Sequence, residues 1–187
     1  MIKLVDLLRE NIGSNIINDA KTLSKEDFLK KYSAEKEEFR TYDRGFFNHF
    51  VFSMAHGYIS INNNQATTVT FNSELYDTNS MHSTTSNTER INIKSSGYYM
   101  IIGQCRFEYG SAVGCRTMTI FDSDGNAICN GEIQASPAGH VTSFTASQVY
   151  FLTSGKYVYM RVYQDSGGAL DLRGGANETF MTVALLS

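Results

Sequence analysis

From Phe46 onward, apolar and polar residues alternate with period two, the repeat of a β-strand. Eleven runs carry it: FFNHFVFSM, YISINN, ATTVTFN, RINIKS, GYYMIIGQCRFEY, GCRTMTIFD, AICNGEIQA, HVTSFTASQVYFL, KYVYMRVYQ, ALDLRG and TFMTVALL. Asp124-Gly125, Ser154-Gly155 and Gly167-Gly168 supply turn chemistry between runs. The pattern predicts a mainly β domain over 46–187, a sandwich or jelly roll of about ten short strands.

The first 45 residues keep a helical period instead and read as a separate segment, 1–45. Leu4, Leu7 and Leu8 share a helical spacing, and Gly13-Ser14 ends that turn or two. Ile16 and Ile17, beside Asn15 and Asn18, suit a short docking element. Ser24 is placed as an N-cap, with Glu26 and Asp27 in the first turn complementing the helix dipole. The helix this predicts carries Phe28, Leu29, Tyr32, Phe39 and Tyr42 on one stripe, broken by Glu35-Lys36. A lone amphipathic helix is marginal in water, so the stripe needs a partner.

Two strand runs are apolar on both faces. In KYVYMRVYQ, Val158, Met160 and Val162 share one face, while Tyr157, Tyr159, Arg161 and Tyr163 share the other. In GYYMIIGQCRFEY, Tyr99, Ile101, Cys105 and Phe107 alternate with Tyr98, Met100 and Ile102. A half-buried strand would carry small polar or charged residues on its second face. Tyrosines and an arginine there have the composition of an interface core. A tyrosine-rich solvated face is the competing reading.

Composition narrows the classes. The chain has 187 residues, enough for one good-sized core and a small appendage. Its net charge is -3 with no basic block, which argues against nucleic acid as a partner. No apolar run reaches membrane-spanning length, so no membrane insertion is expected. Asp6, Arg9 and Glu10 interrupt the N-terminal apolar positions, which argues against a signal peptide. Cys105, Cys115 and Cys129 form an odd set without CxxC spacing; two could pair, but buried or idle thiols in a reducing compartment are the simpler reading.

Candidate chemistry is sparse. Asp122-Ser-Asp-Gly-Asn126 has the alternating oxygens of a calcium loop but lacks the distal glutamate, and a hairpin turn is the simpler reading. His49, His56, His82 and His140 are scattered, with no nucleophile signature beside any of them. Glu74, Asp77 and Glu89 fall in ELYDTNSMHSTTSNTER, which reads as a long polar connection rather than a glycosidase pair. No enzyme activity, cofactor or metal is expected.

Several of these blocks follow one another as in a known family. TFNSELYDTNSMH, then RINIKSSGYYMIIG with Ile91, Gly97 and Tyr99, then LTSGKYVYMRVYQDSG and the closing run Phe180 to Leu186, resemble the globular heads of the complement component one q-like family. That family is a branch of the tumour-necrosis-factor-like jelly rolls. The resemblance runs from about Phe50 to Leu186, and Lys156 departs from it, standing where an acidic residue is common. It implies a homotrimer with one sheet buried against neighbouring subunits, and hence a trimer contact through Tyr98, Met100, Ile102, Tyr157, Tyr159 and Tyr163.

With neither a signal peptide nor a collagen-like stalk expected, the chain looks like the bacteriophage and bacterial versions of such heads, where the head tips a virion fibre. The expected function is a virion structural protein, a trimeric tail or head fibre, made in the host cytoplasm, whose head contacts the host surface. Residues around Leu4 to Ile17 would dock into other virion proteins, and the later helix would form a stalk. Host surface polysaccharide or protein would be met by loops carrying Asn79, Ser83, Thr84, Gln164, Asp165 and Arg173, since loops vary without disturbing a sandwich. A capsid decoration protein without receptor role, or a bacterial carbohydrate-binding module, are the alternatives.

Overall fold

The eleven residues Gly97–Phe107 form the longest strand together with Thr142–Leu152, and they show how the chain builds its core. Every second residue from Gly97 is buried, so Tyr99, Ile101, Cys105 and Phe107 point inward while Tyr98, Met100 and Ile102 point outward. A computed structural model describes residues 50–54, 58–110 and 112–186, the first group as strand path alone. The expected anchor (Leu4, Leu7, Leu8, Ile16, Ile17) and stalk helix (Phe28, Leu29, Tyr32, Phe39, Tyr42) lie outside the described residues, as does the boundary at 45/46.

The described residues form twelve strands: β1 Phe50–Met54, β2 Tyr58–Ile61, β3 Thr67–Thr68, β4 Ser73–Asp77, β5 Arg90–Asn92, β6 Gly97–Phe107, β7 Cys115–Asp122, β8 Ala127–Gln134, β9 Thr142–Leu152, β10 Tyr157–Gln164, β11 Leu170–Arg173 and β12 Phe180–Leu185. All pairings between them are antiparallel. No helix occurs among the described residues. One sheet runs β2-β11-β6-β12-β1-β4, with β9 on the other edge of β6. The second runs β3-β10-β7-β8, with β5 also on β10.

The inner faces of both sheets meet in one core. Tyr99, Ile101 and Phe107 from β6 and Met181 and Val183 from β12 come from the first sheet. Val158, Met160 and Val162 from β10 and Met118 and Ile120 from β7 come from the second. The sheets approach closely at Gly103, where an added Cβ would lie 2.9 Å from the Ile120 side chain and 3.2 Å from the sulfurs of Met118 and Met160. A glycine is what lets the three larger side chains fill that space.

Two sequence expectations change. Ser73–Asp77 is a strand, β4, on the edge of the larger sheet beyond β1, whereas the sequence placed Glu74 and Asp77 in a polar connection. An edge strand half open to water tolerates Glu and Asp, so its alternation is weak. The connection proper is residues 78–89, which crosses from one sheet to the other. The three cysteines are free thiols, and burial pushes the Cys105 thiol up.

Candidate functional site

The six residues expected to make one contact lie on two different surfaces. Tyr98, Met100 and Ile102 stand on the outer face of the seven-stranded sheet, Tyr157, Tyr159 and Tyr163 on the outer face of the five-stranded one. Both inner faces share one core, so these outer faces point away from each other. Local alternation says which residues face outward; it does not say which sheet a strand joins, because that depends on partners far along the chain.

The outer face of the larger sheet carries exposed apolar side chains. Tyr98 (55% exposed) and Phe151 (51%) are register partners across β6 and β9, and their rings meet edge to face at 5.3 Å. Val149, opposite Met100 one row further, is also exposed, and Leu186 joins by donating its N–H to the Tyr98 carbonyl. Met100 and Ile102 are half-buried between them. Single exposed apolar residues are ordinary; neighbours forming one patch mark a contact surface.

The outer face of the smaller sheet satisfies itself more fully. Phe121 from β7 stacks on Tyr159 at 5.4 Å, Tyr157 tilts against Tyr159 at 6.1 Å, and the Arg90 guanidinium lies 4.9 Å over the Tyr157 ring. Tyr163 donates its hydroxyl hydrogen to Asn64 Oδ1 at 2.9 Å. All four rings are half-buried.

The candidate receptor residues divide. Gln164 is fully buried, so it is not a surface contact. Its Nε2 donates to the carbonyls of Ile61 (3.0 Å) and Gly168 (2.7 Å), and its Oε1 accepts from the N–H and hydroxyl of Ser166. The period that buries Val158, Met160 and Val162 continues to Gln164, and that was the available signal. The Asp165 carboxylate accepts the Cys115 N–H, and Arg173 Nε pairs with Glu108 at 3.3 Å. These three side chains therefore hold loops to the sandwich.

In the other loop, the Asp77 carboxylate accepts N–H bonds from Asn79, Met81 and His82, and the Ser83 hydroxyl accepts those of Thr85 and Ser86. The His82 ring is buried, its Nδ1 3.3 Å from Glu74 Oε2 and its Nε2 3.2 Å from the Thr88 carbonyl. Thr85, Ser86 and Asn87 form the exposed tip, with Asn87 in the left-handed region at φ 49°. Ser83 and Thr84 are half-buried at its base.

At Asp122 the carboxylate is occupied by the chain's own donors: the N–H groups of Asp124 and Asn126 and the Asn126 side-chain amide, each at 2.9 Å. That is a hairpin turn closed by its first residue. Asp124 instead binds Lys156 Nζ at 2.6 and 2.9 Å, so the unusual lysine ties the β9–β10 turn to the β7–β8 turn. Burial would raise the Asp122 carboxyl, but the bonds from Asn126 and Asp124, with help from Lys156, outweigh it and hold it below its ordinary value of 3.8. A depressed carboxyl stabilises the fold above the unfolded-state value, and that contribution is lost as pH falls through the lower folded-state value. Asp122→Asn, which turns one acceptor into a donor facing Asn126, should cost about 1–3 kcal/mol at neutral pH. In melting curves taken stepwise down to about pH 2, the gap between wild type and variant should hold above about pH 4 and close below it. A gap constant to the lowest pH would show that the ionised carboxylate contributes nothing.

No protein-family model matches the chain, and no curated protein matches its sequence. Solved structures do match. The Eiger TNF of S. frugiperda aligns with a TM-score of 0.54 at 11% identity, covering 74% of this chain and 92% of that one. Murine APRIL at pH 5.0 aligns at 0.58 and 11%, covering 73% and 98%. The described domain is thus a tumour-necrosis-factor-like jelly roll.

Proposed function

We propose that this chain is the head of a homotrimer that binds rather than catalyses, and that it serves as a bacteriophage virion fibre contacting the host surface. The observation that carries self-association is the patch of Tyr98, Phe151, Val149 and Leu186 on one outer face, flanked by Met100 and Ile102. A cyclic trimer joins each subunit to two neighbours around one axis. Patches on opposite faces of a sandwich would propagate a row instead of closing, so one face only can line the axis. The larger sheet has the more exposed rings and takes that place.

The virion role is the expectation drawn from the sequence, and the ordered likeness of its blocks to complement-one-q-like heads supports the head domain alone. Residues 1–45 would join the head to the particle, and the exposed loop tip at 85–87 with its base at Asn79, Ser83 and Thr84 would face the host. The commitment of Gln164, Asp165 and Arg173 to internal bonds favours a second reading, a capsid decoration protein with no receptor. Host-cell adsorption separates them. Purified protein should coat host cells and slow infection by the parent phage, and replacing Thr85, Ser86 and Asn87 by glycines should remove both effects. A protein incorporated into particles that neither adsorbs nor competes is a decoration protein.

A further inference from the structure

Self-association through the larger sheet leaves the aromatic face of the smaller one without a task. Its rings form a corner: Tyr157 and Tyr159 follow one another along β10, and Phe121 lies across from Tyr159 on β7, with centroid separations of 6.1 and 5.4 Å. Phe121 and Tyr159 are stacked, their planes 20° apart. The rings are half-buried, so each keeps part of its surface in water. Two arginines flank the rings. Arg90 on β5 is the register partner of Tyr159 and covers Tyr157. Arg161, two residues beyond Tyr159 on the same face, is exposed.

Among the described residues neither guanidinium has a carboxylate within ion-pair distance, and the Nε of Arg90 is buried with no hydrogen-bond partner. Glu89, next to Arg90 in the chain, and Asp165, which accepts the Cys115 N–H beside Tyr163, lie at the margins of the face. Asp124 is bound to Lys156, and Glu132 stands two strands away, across Thr117 from Tyr163. The strands of this face thus turn two guanidiniums and one carboxylate, Glu132, outward, on a chain of net charge -3.

We propose that this face is a binding platform for an acidic polysaccharide, a chain of hexopyranoses bearing carboxylates. Each part of the site has a matching part in such a ligand. The CH face of a pyranose lies on an aromatic ring, and amphipathic tyrosines offer hydroxyls to its edges. The arginine fork takes a carboxylate in two parallel bonds, and it can do so while stacked on a ring. Tyr157 and Tyr159, 6.1 Å apart along β10, are spaced near the length of one sugar residue, so two consecutive sugars can follow them. The platform needs no neighbouring subunit and does not rest on the trimer or virion reading.

The test is calorimetric titration of the full-length protein with tetragalacturonate, with neutral maltotetraose and a short oligothymidylate as companions. The expected result is binding of the uronate at physiological salt, with either companion at least about tenfold weaker. Tyr159→Ala and Arg161→Gln should each weaken uronate binding by about tenfold or more. If Tyr159→Ala fails to fold, Arg161→Gln, at an exposed position, carries the comparison alone. No uronate binding, equal binding of the neutral sugar, tighter binding of the oligonucleotide, or variants that bind like wild type would each overturn the platform. A trimer that binds no uronate leaves self-association standing.

Discussion

Phe151→Glu is expected to convert a trimer into a soluble monomer that keeps its fold. Phe151 sits on β9, the edge of the larger sheet, half exposed and in edge-to-face contact with Tyr98. Its removal from the surface breaks no core contact, so the monomer's β-rich circular dichroism should persist. In the trimer the same ring would be covered. Burying the exposed half of an aromatic side chain removes about 100 Å² of apolar surface, about 2.5 kcal/mol at 25 cal/mol per Å². The variant loses that at three sites and also brings three carboxylates into a dry contact, where unpaired charge is costly. Light scattering during size exclusion measures the outcome. The companion variant Tyr159→Glu, on the opposite face, should remain trimeric. A monomeric wild type would remove the trimer altogether, and a monomeric Tyr159→Glu beside a trimeric Phe151→Glu would move the axis to the smaller sheet.

That pair of variants asks what the sequence could not decide. Alternation made the inward and outward sides of β6 and β10 readable, and Val158, Met160, Val162, Tyr99, Ile101 and Phe107 are all buried as it requires. It could not separate the two strands into different sheets. β10 pairs with β7, β5 and β3, and β6 with β9, β12 and β11, and these choices are made by residues dozens of positions away. Double-faced apolar strands thus look alike for two reasons. On β6 Tyr98 stays exposed beside Val149 and Phe151, whereas on β10 the outer residues pack against Phe121, Arg90 and Asn64 of their own chain. Edge strand β4 was hidden by its charges, and the connection after it was legible as polar but not as a crossover held by Asp77 and His82.

Gln164→Leu is expected to be among the most destabilising single changes in the domain. QDSGGAL has the composition of a solvated loop, but Gln164 is at the end of β10 on its inward side, fully buried. Its amide has two N–H donors and one oxygen with two acceptor positions, and all four are used, on Ile61, Gly168 and Ser166. The bonds tie the end of β2, the end of β10 and the turn before β11 into one corner, which Asn63 and Asn64 reinforce by bonding Gly167 and Gln164. Leucine fits the volume and supplies none of them. The Ile61 carbonyl and the Ser166 N–H would be left short of partners, while the Gly168 carbonyl keeps the Ser166 hydroxyl, a cost of about 2–5 kcal/mol at about 1–3 kcal/mol for each group that water cannot reach. Against a domain stability of about 5–15 kcal/mol that is a drop of many degrees in melting temperature. Gln164→Glu tests the same corner differently. Its carboxylate would still accept from Ser166 but would turn oxygen toward two carbonyls, so it should be as damaging at neutral pH and recover in part when acid protonates it. The measurements are thermal melts of both variants and hydrogen exchange over residues 164–170. A Gln164→Leu protein that melts with wild type while losing host adsorption would make Gln164 a contact residue and the buried corner dispensable.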